Sequence, residues 1–115
     1  LGAVAAGVSV AQVMPYPYSP VTPLSGDYLA ALKSEDARGQ SPNYTSMEGY
    51  VAARVFTEAV RRAGKALTRD GLLNAIAGMT AFNLGGFNLS FGPNKNVGSS
   101  FVELTILSKD GTVRR

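Results

Sequence analysis

The stretch PNYTSMEGYVAARVFTEAVRRAG, residues 42–64, decides how this chain is read. Thr45 followed three residues later by Glu48 has the form of a capping box. In that arrangement the threonine oxygen accepts from the Glu48 amide and the glutamate reaches back to the Thr45 amide. Ala52, Phe56, Ala59, Val60 and Ala63 then recur at helical spacing, so one face is apolar and suited to burial. Arg61 and Arg62 stand in the last turn, where positive charge suits the negative end of the helix dipole. Gly64 follows as the left-handed cap. Together these signals predict an amphipathic helix of about five turns, over roughly Ser46–Ala63.

Working outward, Ser25 predicts the cap of a shorter helix through Tyr28, Leu29, Ala31 and Leu32, ending near Ser34–Arg38 with Gly39 as its stop. Before it, Pro15, Pro17, Pro20 and Pro23 oppose helix and central strand, so residues 15–23 read as an extended, rigid connector. Val8 and Val10 alternate with small residues across Gly7–Met14, the pattern of a buried or half-buried strand. On the C-terminal side Thr68 predicts the cap of a third helix, Arg69–Ala77, with Leu72, Leu73 and Ile76 on one side and Gly78 after it. The period then changes to two. Phe87–Phe91 and part of Phe101–Leu107 read as strands, and Asp110-Gly111 signals a hairpin with Thr112–Arg114 as a short return strand. The order is strand, three helices, strands: an α/β chain whose final strands lack evident local partners.

Composition narrows the functions. At 115 residues the chain is the size of one domain with a modest core. Thirteen glycines and six prolines punctuate it, yet they alternate with periodic segments, as in a folded domain. The net charge is +3, and the basic residues are scattered except for the group Arg61–Arg69, which spans a helix end and the following turn. Without a basic stripe interleaved with aromatics, no nucleic-acid partner is expected. Cysteine and histidine are both absent, which excludes disulfides, thiolate nucleophiles, histidine triads and His/Cys zinc sites from this segment. The opening LGAVAAGVSVAQV is too short and glycine-broken to span a membrane, and it reads as the start of a piece cut from a longer chain.

Few groups could carry chemistry. The acids are dispersed and form no metal-like cluster, and Glu103, between Val102 and Leu104, reads as a solvent-facing strand residue. The glycine-rich run Leu84–Ser100 lacks the Gly-Lys-Ser/Thr ending of a phosphate loop, so it reads as turns bracketing the Phe87–Phe91 strand. The serines have no base to activate them. Neither a catalytic site, a metal nor a cofactor is expected. Tyrosine is the notable residue: Tyr16, Tyr18, Tyr28, Tyr44 and Tyr50 all fall in the first half. Tyr16, Tyr18 and Tyr44 stand in the connector and at the helix start, where ring and hydroxyl can line a cleft.

Taken in order, GVSVAQVMPYP, NYTSMEGYVAARVFTEAVRRAG, LTRDGLLNAI and LGGFNLSFGPNKNVGSSFVELTILSKDG closely resemble one family. They are similar to the C-terminal third of periplasmic substrate-binding proteins of ABC importers, in the branched-chain amino acid (Leu/Ile/Val-binding) class. The resemblance runs over essentially the whole chain. It implies an α/β fold that is part of a type I periplasmic-binding-protein lobe, in which two lobes close on a ligand about hinge strands.

The same resemblance implies a division of the chain. Residues 1–14 would be the tail of lobe two and a hinge-crossing strand, 15–99 the C-terminal part of lobe one, and 100–115 a second hinge-crossing strand and the C-terminal hairpin. It implies a periplasmic protein that delivers amino acids or related small molecules to an ABC permease, without catalysis. The alternative is a ligand-sensing domain of a receptor or regulator with the same fold. The family grips its ligand mainly with upstream residues. This segment would contribute cleft wall and hinge, through Asn43 and Tyr44 with Tyr16 and Gln12 behind them. Exposed strand edges and uncovered helix faces lead to a further expectation, self-association of the isolated chain.

Overall fold

Thr22, not Ser25, starts the first helix, α1 (Pro23–Leu32). Its hydroxyl accepts from the Ser25 amide at 3.2 Å, and the Ser25 hydroxyl accepts from the Thr22 amide at 2.9 Å. This capping box puts Pro23 at the first helical position, where the missing N–H costs nothing and the fixed φ is already helical. Ser25 is therefore the third helical residue and fully buried. The computed structural model describes residues 2–34, 39–65 and 67–115. Within these limits α1 ends at Leu32 with Lys33 as its C-cap, and the Glu35–Arg38 part of the expected stop lies outside the described residues.

The long helix, α2 (Tyr44–Ala63), also begins earlier than expected. Asn43 is its N-cap, with the side-chain oxygen accepting from Ser46 N at 2.8 Å, and Thr45 lies inside the first turn. The reason is tertiary. The Tyr28 hydroxyl accepts from the Asn43 amide at 3.0 Å and holds that residue in the extended cap conformation. Glu48, freed from the expected box, is exposed. The buried stripe is Met47, Val51 and Ala59, with half-buried Val55 between the last two, and Phe56 and Ala52 are exposed. The buried face is thus rotated from the one expected. At the C-terminus Glu58 takes hydrogen bonds from Arg61 and Arg62, which hold its carboxyl down at about 2. Gly64 closes the helix at φ +56.

Helix α3 (Arg69–Ala77) has Thr68 as N-cap and Gly78 as C-cap, as the sequence predicts. It packs on α2 but buries none of its residues fully, and Leu73 is 53% exposed. A hairpin follows, β2 (Phe82–Leu84) and β3 (Phe87–Leu89), with Leu84 opposite Phe87. Its two-residue turn is Gly85-Gly86, with φ +57 and +94, a backbone that side chains resist. The Gly85 carbonyl accepts from Leu24 N at 3.0 Å and docks the hairpin on the start of α1. Leu24, Tyr28, Met47, Val51, Leu84, Phe87 and Leu89 make the core between these three pieces.

The remaining strands form a separate antiparallel sheet in the order β1 (Ser9–Gln12), β4 (Glu103–Leu107), β5 (Val113–Arg114). The final strands therefore do have partners. Ser9 lies opposite Ile106 and Gln12 opposite Glu103, while Leu107 faces Val113 across the Asp110-Gly111 turn. Within that sheet Thr105 is buried, and its hydroxyl donates to the Val10 carbonyl at 3.1 Å. The strand expected at Gly7–Met14 is present, but Val8 and Val10 are 49% and 38% exposed rather than buried. Leu104, at 70%, and Ile106, at 45%, are open on the other face. The radius of gyration is 16.6 Å, against about 13 Å for a close-packed chain of this length. Sheet and helical core are joined lengthwise, and apolar surface stays uncovered.

Candidate functional site

The proline connector places the tyrosines. Pro15 and Pro17 are buried, which fixes Tyr16 and Tyr18 between the end of β1 and the start of α1. Tyr16 donates its hydroxyl to the Val113 carbonyl at 2.9 Å and so ties the connector to β5. Its ring lies 5.2 Å from that of Tyr18, and Tyr18 lies 5.8 Å from Tyr44, both edge-to-face. Tyr44 is the first residue of α2, so the row runs from the sheet to the helix N-terminus.

Glu103 completes the cluster. It begins β4 opposite Gln12, and its Oε1 lies 3.7 Å from Arg115 Nη1. The Glu103 side chain is only 24% exposed, so the solvent-facing role expected from its strand position is not the one observed. Its Oε2 and the Tyr44 hydroxyl are both buried with no hydrogen-bond partner. Burial first, and the Glu103 charge second, push the Tyr44 phenol up to about 12. Burial likewise raises Tyr18, helped by Tyr16 and Tyr28. Chemically this is a neutral hydroxyl within the field of an acid, next to a row of aromatic rings. A cavity of about 340 Å³ adjoins it, between Tyr16, Tyr18 and Gly111–Val113.

Of the residues singled out in the sequence, Tyr16 and Tyr44 join this row and Gln12 stands across from Glu103. Asn43 is next to Tyr44, but its side chain is engaged, accepting from Ser46 N and donating to the Ser41 carbonyl at 3.1 Å. Glu103 and Arg115 were not legible as site residues, because only the sheet register brings them to residues from the first half of the chain. A larger groove, about 670 Å³, lies elsewhere. It runs between α2 and β3, is lined by apolar side chains such as Phe56, Val97 and Val102, and has Glu48 on its wall. It lacks convergent polar groups, so it reads as uncovered packing surface rather than as a recognition site. Among the described residues no group of three or more His, Cys, Asp or Glu side chains could hold a metal ion. No described helix is long and apolar enough to cross a membrane.

The sequence matches the model of the periplasmic binding protein family over residues 1–111. The chain belongs to that family. No curated protein matches it. Among solved structures, this periplasmic binding protein chain is similar to a substrate-binding periplasmic protein from Ralstonia solanacearum, at 32% identity and a TM-score of 0.85 over 96% of the chain. An extracellular ligand-binding receptor from Verminephrobacter eiseniae is 29% identical, with a TM-score of 0.83 over 96% of the chain. A possible leucine/isoleucine/valine-binding protein from Rhodopirellula baltica is 28% identical, with a TM-score of 0.86 over 99% of the chain. In each case the match spans 31% of the relative's own length. The α/β architecture is thus that of part of a type I periplasmic binding protein.

Proposed function

We propose that this chain is the hinge-and-wall segment of a two-lobed solute-binding protein. In this reading the protein captures an amino acid or related small molecule in the periplasm and presents it to an ABC permease, with no catalysis of its own. The observation that carries the reading is the likeness to solved binding proteins over nearly all of this chain. Residues 1–14 and 100–115 then supply two hinge-crossing strands, and 15–99 the C-terminal part of lobe one. The antiparallel pairing of β1 with β4 supports this division, since two hinge strands must run side by side. Tyr16, Tyr44, Gln12 and Asn43 would contribute to the cleft wall from this segment.

A sensing domain of a receptor is the second reading, favoured by the V. eiseniae relative, which is described as an extracellular ligand-binding receptor. Native mass spectrometry of a two-lobed protein that carries this segment, rather than of the 115 residues alone, tests the shared core of both. Saturable added mass with an amino acid, amide or aromatic acid supports solute binding. No added mass with any of them would count against it. Dependence of uptake on a permease encoded beside it would separate transport from sensing.

A further inference from the structure

We infer that a further cavity, separate from the tyrosine row, binds a tetrahedral oxyanion: phosphate or a phosphate ester. The cavity is about 370 Å³ and lies between the β2–β3 hairpin and residues 95–100. It has the volume of a small-molecule site. It shares no lining residue with the tyrosine row or the space beside that row, so the inference goes beyond the solute-binding reading.

Its polar lining is rich in donors. Thr80, Ser90 and Ser100 bring hydroxyls, Lys95 an ammonium and Asn88 a carboxamide, while no Asp or Glu lines it. The ion pairs among the described residues all use arginines, and none takes Lys95. The Asn88 amide is oriented by its cross-strand neighbour. Asn83 Oδ1 accepts from Gly86 N at 2.9 Å, so the Asn83 amide nitrogen is the end that donates to Asn88 Oδ1. The Asn88 Nδ2 hydrogens are thereby left to a ligand.

The walls are fixed before anything binds. Ser90 N donates to the Gly98 carbonyl at 2.7 Å, and Gly92 and Lys95 exchange backbone hydrogen bonds at 3.1 and 3.4 Å. Gly98 lies against the Phe91 ring, where a Cβ would collide. Because these bonds occupy the amides of Ser90, Gly92 and Lys95, the grip comes from side chains and not from a glycine-rich phosphate loop. A carboxylate suits the planar fork of an arginine, and no arginine lines the cavity. A tetrahedral anion offers acceptor oxygens in several directions, which matches one point charge accompanied by hydroxyls and an amide.

Amide-resolved nuclear magnetic resonance on a two-lobed protein that carries this segment tests this. Sodium phosphate, methyl phosphate and sodium acetate are titrated at constant ionic strength. The expected result is saturable movement of the Ser90, Lys95 and Ser100 amide signals with phosphate or methyl phosphate, and none with acetate. A stronger response to methyl phosphate assigns an ester as the source, and a stronger response to phosphate the free ion. Lys95→Gln should weaken binding by about tenfold, the scale of one charge-assisted hydrogen bond. Asn88→Asp keeps the shape but turns a donor into a negative charge, and should abolish the response. Both positions are exposed, and unchanged Met47 and Val51 signals certify that the variants are folded. The inference is overturned if acetate moves the same signals, if either variant titrates like the parent, or if no saturable response appears. Amino-acid uptake without a phosphate response sinks this inference alone. A phosphate response without amino-acid uptake leaves it standing and counts against the solute-binding reading.

Discussion

The Tyr28 hydroxyl sits 3.0 Å from the backbone nitrogen of Asn43, fifteen residues away, and accepts its hydrogen bond. The same oxygen lies 2.6 Å from the Ser46 hydroxyl and 3.2 Å from the Asn43 carbonyl. One buried phenol on α1 thus holds the first turn of α2, and with it the position of Tyr44 in the tyrosine row. Tyr28→Phe keeps the ring packing but strands the Asn43 amide, and should cost about 1–3 kcal/mol in urea unfolding. A variant as stable as the parent would show that water replaces the phenol at no cost.

The two competing caps of α2 are separable. Asn43→Ala removes the side-chain acceptor for Ser46 N and should destabilise by about 1 kcal/mol. Thr45→Ala, in an exposed first-turn position, should stay within about 0.5 kcal/mol of the parent. Thermal melts of the pair decide the matter, and the reverse order would restore Thr45 as the cap.

Gly85 is constrained both by its positive φ and by the backbone beside it. Its φ is +57, and a Cβ there would lie 2.5 Å from Leu24 N, against backbone that cannot yield. Gly85→Ala should lower stability by about 2–3 kcal/mol from strain and overpacking together. Gly39→Ala, with open space around its φ of +72, should cost about 1 kcal/mol. Equal losses at the two positions would argue against the contact with Leu24.

Stability should decline in alkali. The Tyr44 phenol titrates at about 12 in the folded chain, above its ordinary value of 10.0. Between those values the unfolded chain gives up this proton first, so unfolding is favoured as pH rises. The effect is absent below pH 10 and grows as pH climbs through about 12. Tyr44→Phe should flatten that part of the profile, read by urea midpoints across the range. An unchanged slope would place the alkaline sensitivity elsewhere.

The uncovered groove beside α2 should make the isolated chain associate. Phe56 is 56% exposed on its wall, and Val97 and Val102 are 72% and 64% exposed. Sedimentation velocity should show mass rising with concentration, and Phe56→Glu should return the chain toward monomer. A parent chain that remains monomeric throughout would contradict the expectation of self-association.

The local signals were readable because their hydrogen bonds span only a few residues. Thr68 and Gly78 bound α3 as expected, Gly64 ends α2 with positive φ, and Asp110-Gly111 turns the last hairpin. Readings failed where a distant residue intervened. Asn43 displaced Thr45 because Tyr28 supplies a partner that the local pattern does not contain. The β2 strand escaped notice because Phe82–Leu84 is three residues long and is held as a strand by its pairing with β3. Of the site, the tyrosines stood out by their concentration, while Glu103 looked like an ordinary outward strand residue.

By itself, then, the sequence determined the element order, most caps and turns, the α/β class and the family likeness, all carried by residues close together in the chain. Only the tertiary structure decided which face of α2 is buried, which strands pair, and that the Glu103 charge acts on Tyr44. Those outcomes depend on closing loops of tens of residues. The free energy that settles them lies in packing, and in whether a buried phenol or carboxylate finds a partner, which no local pattern encodes.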